Sequence, residues 1–189
     1  MKIICLGDSL TYGYMLPRKD SWPSILEEIS SHKVINKGIN GDTTPGMLSR
    51  FQNDVVAEKP SVMILMGGTN DFYNEIGYMN VAMNIKTMIV QCNYYMIKPV
   101  VMVPIPSISV EPMLIMKSSE VNRSITKLRE ELFAFQTVDD FILIDLYSHI
   151  NELMEANKVA EYYLDDIHLN RKGNEYVAKI IDDYLKPYK

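Results

Sequence analysis

The first reactive side chain that this chain places beyond a predicted strand end is a serine close to the N-terminus. Ser9 follows the apolar run Ile3-Ile4-Cys5-Leu6 and the pair Gly7-Asp8. An apolar run that ends at a glycine is typical of a strand buried on both faces, and open parallel sheets bind ligands beyond the carboxyl ends of their strands. A serine hydroxyl is a weak nucleophile alone, so acyl transfer at Ser9 requires a base and an oxyanion hole from elsewhere in the chain.

The base must come from one of three histidines. His32 follows the first predicted helix, where we expect a solvated side chain or one that faces the helix dipole. His149 follows a predicted strand at the same edge of the sheet as Ser9 and is a rival, although the start of a short helix is the more ordinary role there. His168 comes three residues after Asp165, and this spacing lets one turn bring a carboxylate to one imidazole nitrogen while the other faces Ser9. We favour His168 as the base and Asp165 as the residue that orients it, although an Asp-x-x-His pair alone also suits an ordinary polar loop.

Two further segments exchange apolar residues for glycine and small polar side chains in the same way. They are Asn40-Gly41-Asp42 and Gly68-Thr69-Asn70-Asp71. The backbone N–H groups of Ser9 and Gly41 and the side-chain amide of Asn70 are donors of the kind that stabilise an oxyanion. Each turn by itself is typical of an ordinary strand-to-helix connection. Three such turns at one edge of a parallel sheet favour a site.

The elements that position these residues alternate between strand and helix. Apolar runs predict strands at residues 3–6, 34–35, 62–66, 100–103 and 141–145, and helical spacing predicts helices over about 21–31, 44–58, 80–95, 118–135 and 172–185. Five strands separated by helices predict an α/β fold with a parallel sheet and helices on both faces. At this length we expect residues 1–189 to form one domain.

The composition excludes several classes of function. The chain has 47% hydrophobic and 23% charged residues, which is ordinary for a globular protein, and its net charge of −5 disfavours a nucleic-acid partner. No apolar run approaches the ~20 residues of a membrane span, so we expect no stable membrane insertion. The two cysteines lie on a predicted core strand and a predicted helix, and the first residues show no signal-peptide pattern. We therefore expect a reducing, cytoplasmic location.

Taken together, the motifs resemble those of the GDSL esterase/lipase family, the SGNH hydrolases. Gly7-Asp8-Ser9-Leu10 is similar to the family's nucleophile block, and Gly41 and Asn70 stand in its two oxyanion blocks. Asp165-x-x-His168 is similar to its last block, and the blocks occur in family order between residues 7 and 168. A further group resembles the bacterial acylhydrolase and arylesterase branch: Thr11, Gly13, Trp22 and Pro23.

The resemblance implies a flavodoxin-like three-layer α/β/α sandwich and ester hydrolysis without a metal or another cofactor. It implies an acyl-enzyme on Ser9, with His168 as the base and Asp165 as its orienting carboxylate. The implied oxyanion hole consists of the N–H groups of Ser9 and Gly41 and the amide of Asn70. The expected partner is a small-molecule ester, and short acyl esters, lysophospholipids, thioesters and acetylated sugars all stay open, as does the oligomeric state.

Two other classes of function compete with this interpretation. A metal-dependent phosphodiesterase would use Asp8, Asp71 and His168 as ligands, but no dense ligand motif such as His-x-His or Asp-x-Asp is present. A non-catalytic binding module on a flavodoxin-like fold is the other alternative, but no glycine-rich phosphate loop supports it.

The segment 105–116, after the fourth predicted strand, is an unusually apolar loop for this edge of the sheet. Long loops at the carboxyl edge are often functional, so Ile108 and Val110 are candidates for one wall of an acyl pocket. Tyr73 and Met79, which follow the Asn70 turn, are candidates for the opposite wall. Packing on the core or burial in a dimer contact is the alternative for this segment.

Overall fold

Five strands form one parallel sheet in the computed structural model of this chain, which describes residues 1–109 and 112–188. The strands are β1 (Lys2–Gly7), β2 (Lys33–Gly38), β3 (Val62–Met66), β4 (Lys98–Met102) and β5 (Ile142–Ile144). Their order is β2-β1-β3-β4-β5, and every neighbouring pair is parallel. This is the flavodoxin-like order, in which the connections change direction between β1 and β3 and a crevice opens beyond the carboxyl ends of those two strands.

Eight α-helices cover the two faces of this sheet in the described part of the chain. They are α1 (Ser9–Tyr12), α2 (Trp22–Ile29), α3 (Thr44–Asp54), α4 (Thr69–Tyr73), α5 (Tyr78–Tyr94), α6 (Pro112–Phe135), α7 (Leu146–Glu155) and α8 (Arg171–Leu185). One hydrophobic core lies between the sheet and α2, α7 and α8, and a second lies between the sheet and α3, α5 and α6. The predicted three-layer α/β/α sandwich with a five-stranded parallel sheet is confirmed.

Alternate residues of each central strand contribute to the two cores. In β1, Ile3 and Cys5 belong to one core, whereas Ile4 and Leu6 belong to the other. All five residues of β3 are buried. A strand covered on both faces has no solvated side, and this explains why its sequence is a continuous apolar run without polar alternation.

Several element boundaries differ from the predicted ones. β4 begins at Lys98 and includes Pro99. The Lys98 N–H donates to the carbonyl oxygen of Ser61, on the β3 side, at 3.0 Å, so the nitrogen of Pro99 faces the β5 side. A proline is tolerated there because no N–H is needed at that position. Pairing of β4 with β5 begins only at Val100, so Pro99 removes no ladder hydrogen bond. α6 begins at Pro112, six residues before the predicted start, since proline is compatible with a first helical turn. The short helices α1 and α4 occupy segments that were predicted as turns.

The two cysteines are free thiols on opposite faces of the sheet. Cys5 lies in the core under α2, α7 and α8, and Cys92 lies in the core under α3, α5 and α6. Burial raises the pKa of Cys5 well above its ordinary value and raises the pKa of Cys92 to about 12. Within residues 1–109 and 112–188, no helix is long and apolar enough to cross a membrane.

Candidate active site

Ser9 lies where β1 turns into α1. The side chain of Asp8 caps this helix by accepting a hydrogen bond from the Leu10 N–H at 2.9 Å, and Ser9 is its first residue. The turn requires a glycine at position 7, because a Cβ there would lie 2.2 Å from the Thr11 hydroxyl oxygen and 2.7 Å from a β3 carbonyl oxygen. Ser9 is 9% exposed and lies beside the crevice between β1 and β3.

His168 and Asp165 lie on a loop that closes on itself before α8. Tyr163 and Leu169 pair as an antiparallel bridge at its base, and the Leu164 N–H donates to the carbonyl oxygen of His168 at 2.7 Å. The imidazole Nε2 of His168 lies 3.0 Å from Ser9 Oγ, and its Nδ1 lies 2.8 Å from Asp165 Oδ2. A hydroxyl, an imidazole and a carboxylate from sequence positions 9, 168 and 165 therefore form one hydrogen-bonded chain.

The carboxylate at the end of this chain is held in its ionised form. Asp165 Oδ1 accepts hydrogen bonds from the backbone N–H groups of Ile167 and His168, at 2.8 and 2.7 Å. Partial burial acts to raise the pKa of Asp165, but these two bonds and the imidazole together outweigh it, so the pKa lies below its ordinary value. Asp165 can therefore fix one imidazole tautomer and stabilise an imidazolium.

The donors expected for an oxyanion hole lie on three neighbouring strand exits. Ser9 begins a helix, where backbone N–H groups have no intrahelical acceptor. Gly41 has φ of +75°, a left-handed conformation that favours glycine, and a Cβ at this position would meet nothing within 4 Å. Asn70 donates one side-chain N–H to the carbonyl oxygen of Asp42 at 2.9 Å, which ties the Asn70 amide to the Gly41 turn. An amide nitrogen carries two hydrogens, so a second N–H of Asn70 is available to a ligand.

Asp8 and Asp71 act as structural acceptors in this arrangement. Asp71 accepts hydrogen bonds from the N–H and the hydroxyl of Thr44, at 3.0 and 2.6 Å, and so joins the exit of β3 to the start of α3. Burial is the main reason that the pKa of Asp71 lies above its ordinary value, and burial raises the pKa of Asp8 to about 7. Among the described residues, no group of three or more His, Cys, Asp or Glu side chains is arranged to hold a metal ion.

The other two histidines have different surroundings from those of His168. The expectation of a solvated His32 is wrong, because its side chain is buried and its Nδ1 lies 3.3 Å from the amino group of Met1. His149 is half-buried and is the fourth residue of α7, which begins after the N-cap residue Asp145. The imidazole in contact with Ser9 is that of His168.

The candidate acyl-pocket residues differ in burial and in the elements on which they lie. Ile108 is half-buried against the core under α2, α7 and α8, and its N–H donates to the Asp166 carbonyl oxygen at 2.9 Å. Tyr73 ends α4 and donates its hydroxyl to Ser107 Oγ at 3.0 Å. Met79 is 44% exposed at the start of α5. Val110 lies outside the described residues.

Sequence reasoning missed two groups that brace the site. Arg50, in α3, contacts the exits of β1 and β2, and Asn122, in α6, holds the backbone of Ser107 beside the His168 loop. These contacts are made to backbone atoms 13 to 43 residues away in the chain, which leave no pattern of spacing in the sequence. A polar residue in the middle of an amphipathic helix was the one available signal.

Comparison with known proteins gives the family. A model of the GDSL-like lipase/acylhydrolase family matches residues 5–176. The chain belongs to this family. The GDSL-like match includes all of the strand exits described above and the loop that carries Asp165 and His168.

Individual GDSL-like relatives match shorter stretches. The chain is 39% identical over 75 residues to an arylesterase of Vibrio mimicus, covering 37% of this chain and 38% of that protein. It is 32% identical over 71 residues to thioesterase 1/protease 1/lysophospholipase L1 of Escherichia coli K12, covering 36% and 34%. The chain thus spans less than half the length of these curated relatives in its matching stretch.

A solved structure matches almost the whole fold. A protein of Desulfitobacterium hafniense DCB-2 that is assigned to the lipolytic G-D-S-L family superposes with a TM-score of 0.80 at 26% identity. The superposition covers 96% of this chain and 98% of that protein, so the similarity extends well beyond the stretches found in the curated relatives.

Proposed function

We propose that the protein is a serine carboxylic-ester hydrolase that forms an acyl-enzyme on Ser9. The observation that carries this proposal is the hydrogen-bonded chain from Ser9 Oγ to His168 Nε2 at 3.0 Å and from His168 Nδ1 to Asp165 at 2.8 Å. Side chains 159 residues apart meet in the geometry that acyl transfer needs. Membership of the GDSL-like lipase/acylhydrolase family supports the same chemistry.

In the acylation step, His168 removes the Ser9 proton as Oγ attacks the ester carbonyl carbon. The carbonyl π electrons move to oxygen, and the N–H groups of Ser9 and Gly41 with the amide of Asn70 bind the resulting oxyanion. The imidazolium then donates its proton to the leaving alcohol as the ester C–O bond breaks. Asp165 keeps the tautomer and offsets the positive charge without accepting the proton.

In the deacylation step, a water molecule repeats the sequence in place of the serine. His168 takes a proton from water, the hydroxide attacks the acyl-enzyme, and the same donors bind the second oxyanion. Ser9 regains its proton from His168 when the bond to Oγ breaks. The products are one carboxylic acid and one alcohol, and no cofactor is consumed.

The substrate class is a small-molecule oxyester or thioester. The relatives named arylesterase and thioesterase 1/protease 1/lysophospholipase L1 support that range. Within it, we propose that exposed Met79 contributes to an acyl wall with Tyr73, Ile108 and Val110. Met79→Asp should then raise the activation free energy of kcat/KM for p-nitrophenyl octanoate by about 1–3 kcal/mol more than for p-nitrophenyl acetate. An equal loss of kcat/KM on both esters would remove Met79 from the acyl wall.

Two competing functions have less support. A metal-dependent phosphodiesterase would need Asp8 and Asp71 as ligands, but both oxygens of Asp71 accept hydrogen bonds from Thr44 and one oxygen of Asp8 caps α1. A non-catalytic module would retain ester affinity without turnover. We also propose that residues 1–189 act as one domain, which is supported by the two hydrophobic cores that share one sheet, and that this domain is cytoplasmic.

The experiment that tests the proposed function is labelling with a fluorophosphonate, followed by peptide mass spectrometry. We expect one phosphonyl group per chain on the Ser9 peptide, loss of p-nitrophenyl acetate hydrolysis in proportion to labelling, and no effect of EDTA on the unlabelled protein. Loss of hydrolysis in EDTA with restoration by a divalent metal would contradict the proposal. Hydrolysis that survives complete labelling would contradict it as well.

A further inference from the structure

Arg50 is a largely buried arginine in the middle of α3, with a side chain that is 14% exposed. A guanidinium group carries five N–H donors, and four hydrogen bonds use its three nitrogens here. Nε and Nη2 both lie 2.8 Å from Asp42 Oδ2. Nη1 lies 2.8 Å from the Lys37 carbonyl oxygen and 2.8 Å from Asp54 Oδ2, and Nη2 lies 3.0 Å from the Gly7 carbonyl oxygen.

Three of the four acceptor residues lie at the carboxyl edge of the sheet. Gly7 ends β1 and precedes Asp8-Ser9, and Lys37 is the residue before the end of β2. Asp42 follows Gly41 directly. The guanidinium therefore joins the strand exit that carries the serine to the turn that carries the Gly41 N–H.

Asp42 connects Arg50 to the third candidate oxyanion donor, the side-chain amide of Asn70. Its carbonyl oxygen accepts the hydrogen bond from the Asn70 amide at 2.9 Å, and its Oδ1 accepts the Thr43 N–H at 2.9 Å. The Gly41 residue itself is exposed and has no side chain to anchor it. The position of this turn consequently depends on what holds Asp42, whose side chain is 11% exposed and paired with Arg50.

We propose that Arg50 is a positioning residue that fixes the Ser9, Gly41 and Asn70 donors relative to one another before a substrate binds. This inference rests on the proposed ester hydrolysis, because only a developing oxyanion needs the three donors together. Oxyanion stabilisation is strong when the donors are preorganised, since no reorganisation is then needed as charge develops. Arg50 would act through the Gly41 turn and would not touch the substrate.

The charge of Arg50 serves the same purpose. Asp42 interacts electrostatically with Asp8 and with Asp71, so three carboxyl groups share this edge of the sheet. Negative charge beside the donors would oppose an oxyanion. The guanidinium offsets the charge of Asp42, the member of the group that is bonded to the Gly41 turn.

The alternative is that Arg50 only stabilises α3 through its ion pair with Asp54, four residues later. The two roles separate in Arg50→Lys, because lysine keeps the charge but cannot reach Asp42, Lys37 and Gly7 together as the planar guanidinium does. With p-nitrophenyl butyrate, we expect kcat to fall by about 10- to 100-fold and KM to change by less than about twofold. Propane-1-boronic acid, which forms a tetrahedral adduct, should lose affinity by the same factor as kcat/KM, while butyrate should not.

Two variants serve as controls. Asp54→Asn removes the helical ion pair and leaves the Asp42, Gly7 and Lys37 contacts, so we expect a lower melting temperature with kcat retained. Arg129→Lys changes another arginine–carboxylate contact, the 2.7 Å pair with Asp145 that precedes α7, and should also retain kcat. Asp42→Asn should reproduce the Arg50→Lys loss of boronate affinity with Arg50 still present, and this covers the case in which Arg50→Lys fails to fold.

The results distinguish this inference from the proposed function. If the wild-type protein hydrolyses the ester through Ser9, and Arg50→Lys or Asp42→Asn leaves both kcat and boronate affinity unchanged, the inference is wrong and the proposed function stands. If kcat falls equally in Arg50→Lys and Asp54→Asn along with the melting temperature, Arg50 is structural only. If fluorophosphonate labelling of Ser9 leaves wild-type hydrolysis intact, the proposed function itself fails. Partial restoration of Arg50→Ala by millimolar guanidinium chloride would support the positioning role.

Discussion

Asp165 and Asp8 are both aspartates of the candidate site, yet their surroundings shift their pKa values in opposite directions. Burial acts to raise the pKa of Asp165, but three hydrogen bonds to the carboxylate outweigh it and lower the pKa. Asp8 is completely buried and makes one hydrogen bond through its carboxyl group, to the Leu10 N–H, so burial dominates and raises its pKa to about 7. The much deeper burial of Asp8 and the additional donors that reach Asp165 together account for the opposite directions of the two shifts.

Asp165→Asn should lower kcat on the order of 10⁴-fold, because an amide can donate to His168 Nδ1 and favour the wrong tautomer.

The lowered pKa of Asp165 also predicts a pH-dependent contribution to stability. That contribution is present above the ordinary value of about 4 and is lost as pH falls through the folded-state value. The difference in urea midpoint between wild type and Asp165→Asn should thus shrink from pH 6 towards pH 3. A difference that stays constant over this range would contradict the lowered pKa.

The stability contribution of Asp8 should depend on pH in the opposite direction from that of Asp165. The folded state holds the Asp8 proton more tightly than the unfolded state, so this contribution is complete below about pH 4 and is lost as pH rises towards 7. A shift of about three units corresponds to at most about 4 kcal/mol. Relative to wild type, Asp8→Asn should gain stability between pH 5 and pH 8, as measured by urea unfolding. Parallel wild-type and variant curves across that interval would contradict a raised pKa for Asp8.

At the scale of elements, the loop that carries His168 depends on the segment after β4. Asn122 holds Ser107 through two hydrogen bonds, from the Ser107 N–H to Oδ1 and from Nδ2 to the Ser107 carbonyl oxygen, both at 2.8 Å. The Ser107 hydroxyl and the Ile108 N–H then donate to the Asp166 carbonyl oxygen, at 3.2 and 2.9 Å. The helix α6 thereby fixes the loop through a chain of polar contacts.

Asn122→Ala should lower the free energy of unfolding by about 1–3 kcal/mol, since it leaves two backbone groups of Ser107 without partners. It should also speed amide hydrogen exchange in residues 163–169 and reduce kcat. Thr87→Ala is the matched control, because its exposed hydroxyl bonds only to the Met83 carbonyl oxygen of the same helix. Exchange in residues 163–169 that is unchanged in Asn122→Ala would show that α6 does not brace this loop.

The elements that were predicted from sequence are those that a local pattern determines. β1 and β3 are apolar runs because both faces are covered, and α8 begins after Asn170, whose side chain caps it through the Gly173 N–H. α1 and α4 were missed because helices of four or five residues depend on tertiary contacts more than on propensity. The burial of His32 was missed for the same reason, since it follows from packing near the first residue of the chain.

In the candidate site, too, features set by a local sequence pattern could be predicted and features set by tertiary contacts could not. Ser9, Asp165 and His168 could be named from residue type and spacing. The structure places His168 Nδ1 2.8 Å from Asp165 and His168 Nε2 3.0 Å from Ser9 Oγ, which is 159 residues away in the sequence. The bracing by Arg50 could not be named, because its acceptors include the carbonyl oxygen of Gly7, 43 residues away. Backbone acceptors carry no residue identity, so only the three-dimensional arrangement reveals them.

At the scale of the whole molecule, the order of the strands explains why one site can form. The order β2-β1-β3 brings the exits of three strands side by side, and these exits carry Gly41, Ser9 and Asn70 respectively. The loop before α8 then returns across the sheet and delivers His168 to Ser9. The candidate nucleophile from the start of the chain and the candidate base from its end meet because α8 packs beside α2 on the same face.

The central claim is that Ser9 and His168 act as one unit in ester hydrolysis. The most direct measurement is kcat on p-nitrophenyl acetate for Ser9→Ala, His168→Ala and the double variant, with His149→Ala as the control. We expect each single change to lower kcat by about 10⁴-fold or more, and the double variant to be no worse than the single ones, because either change disables the same step. His149→Ala should stay near wild type. Losses that multiply in the double variant, or a His168→Ala protein that keeps its activity while His149→Ala loses it, would contradict this account.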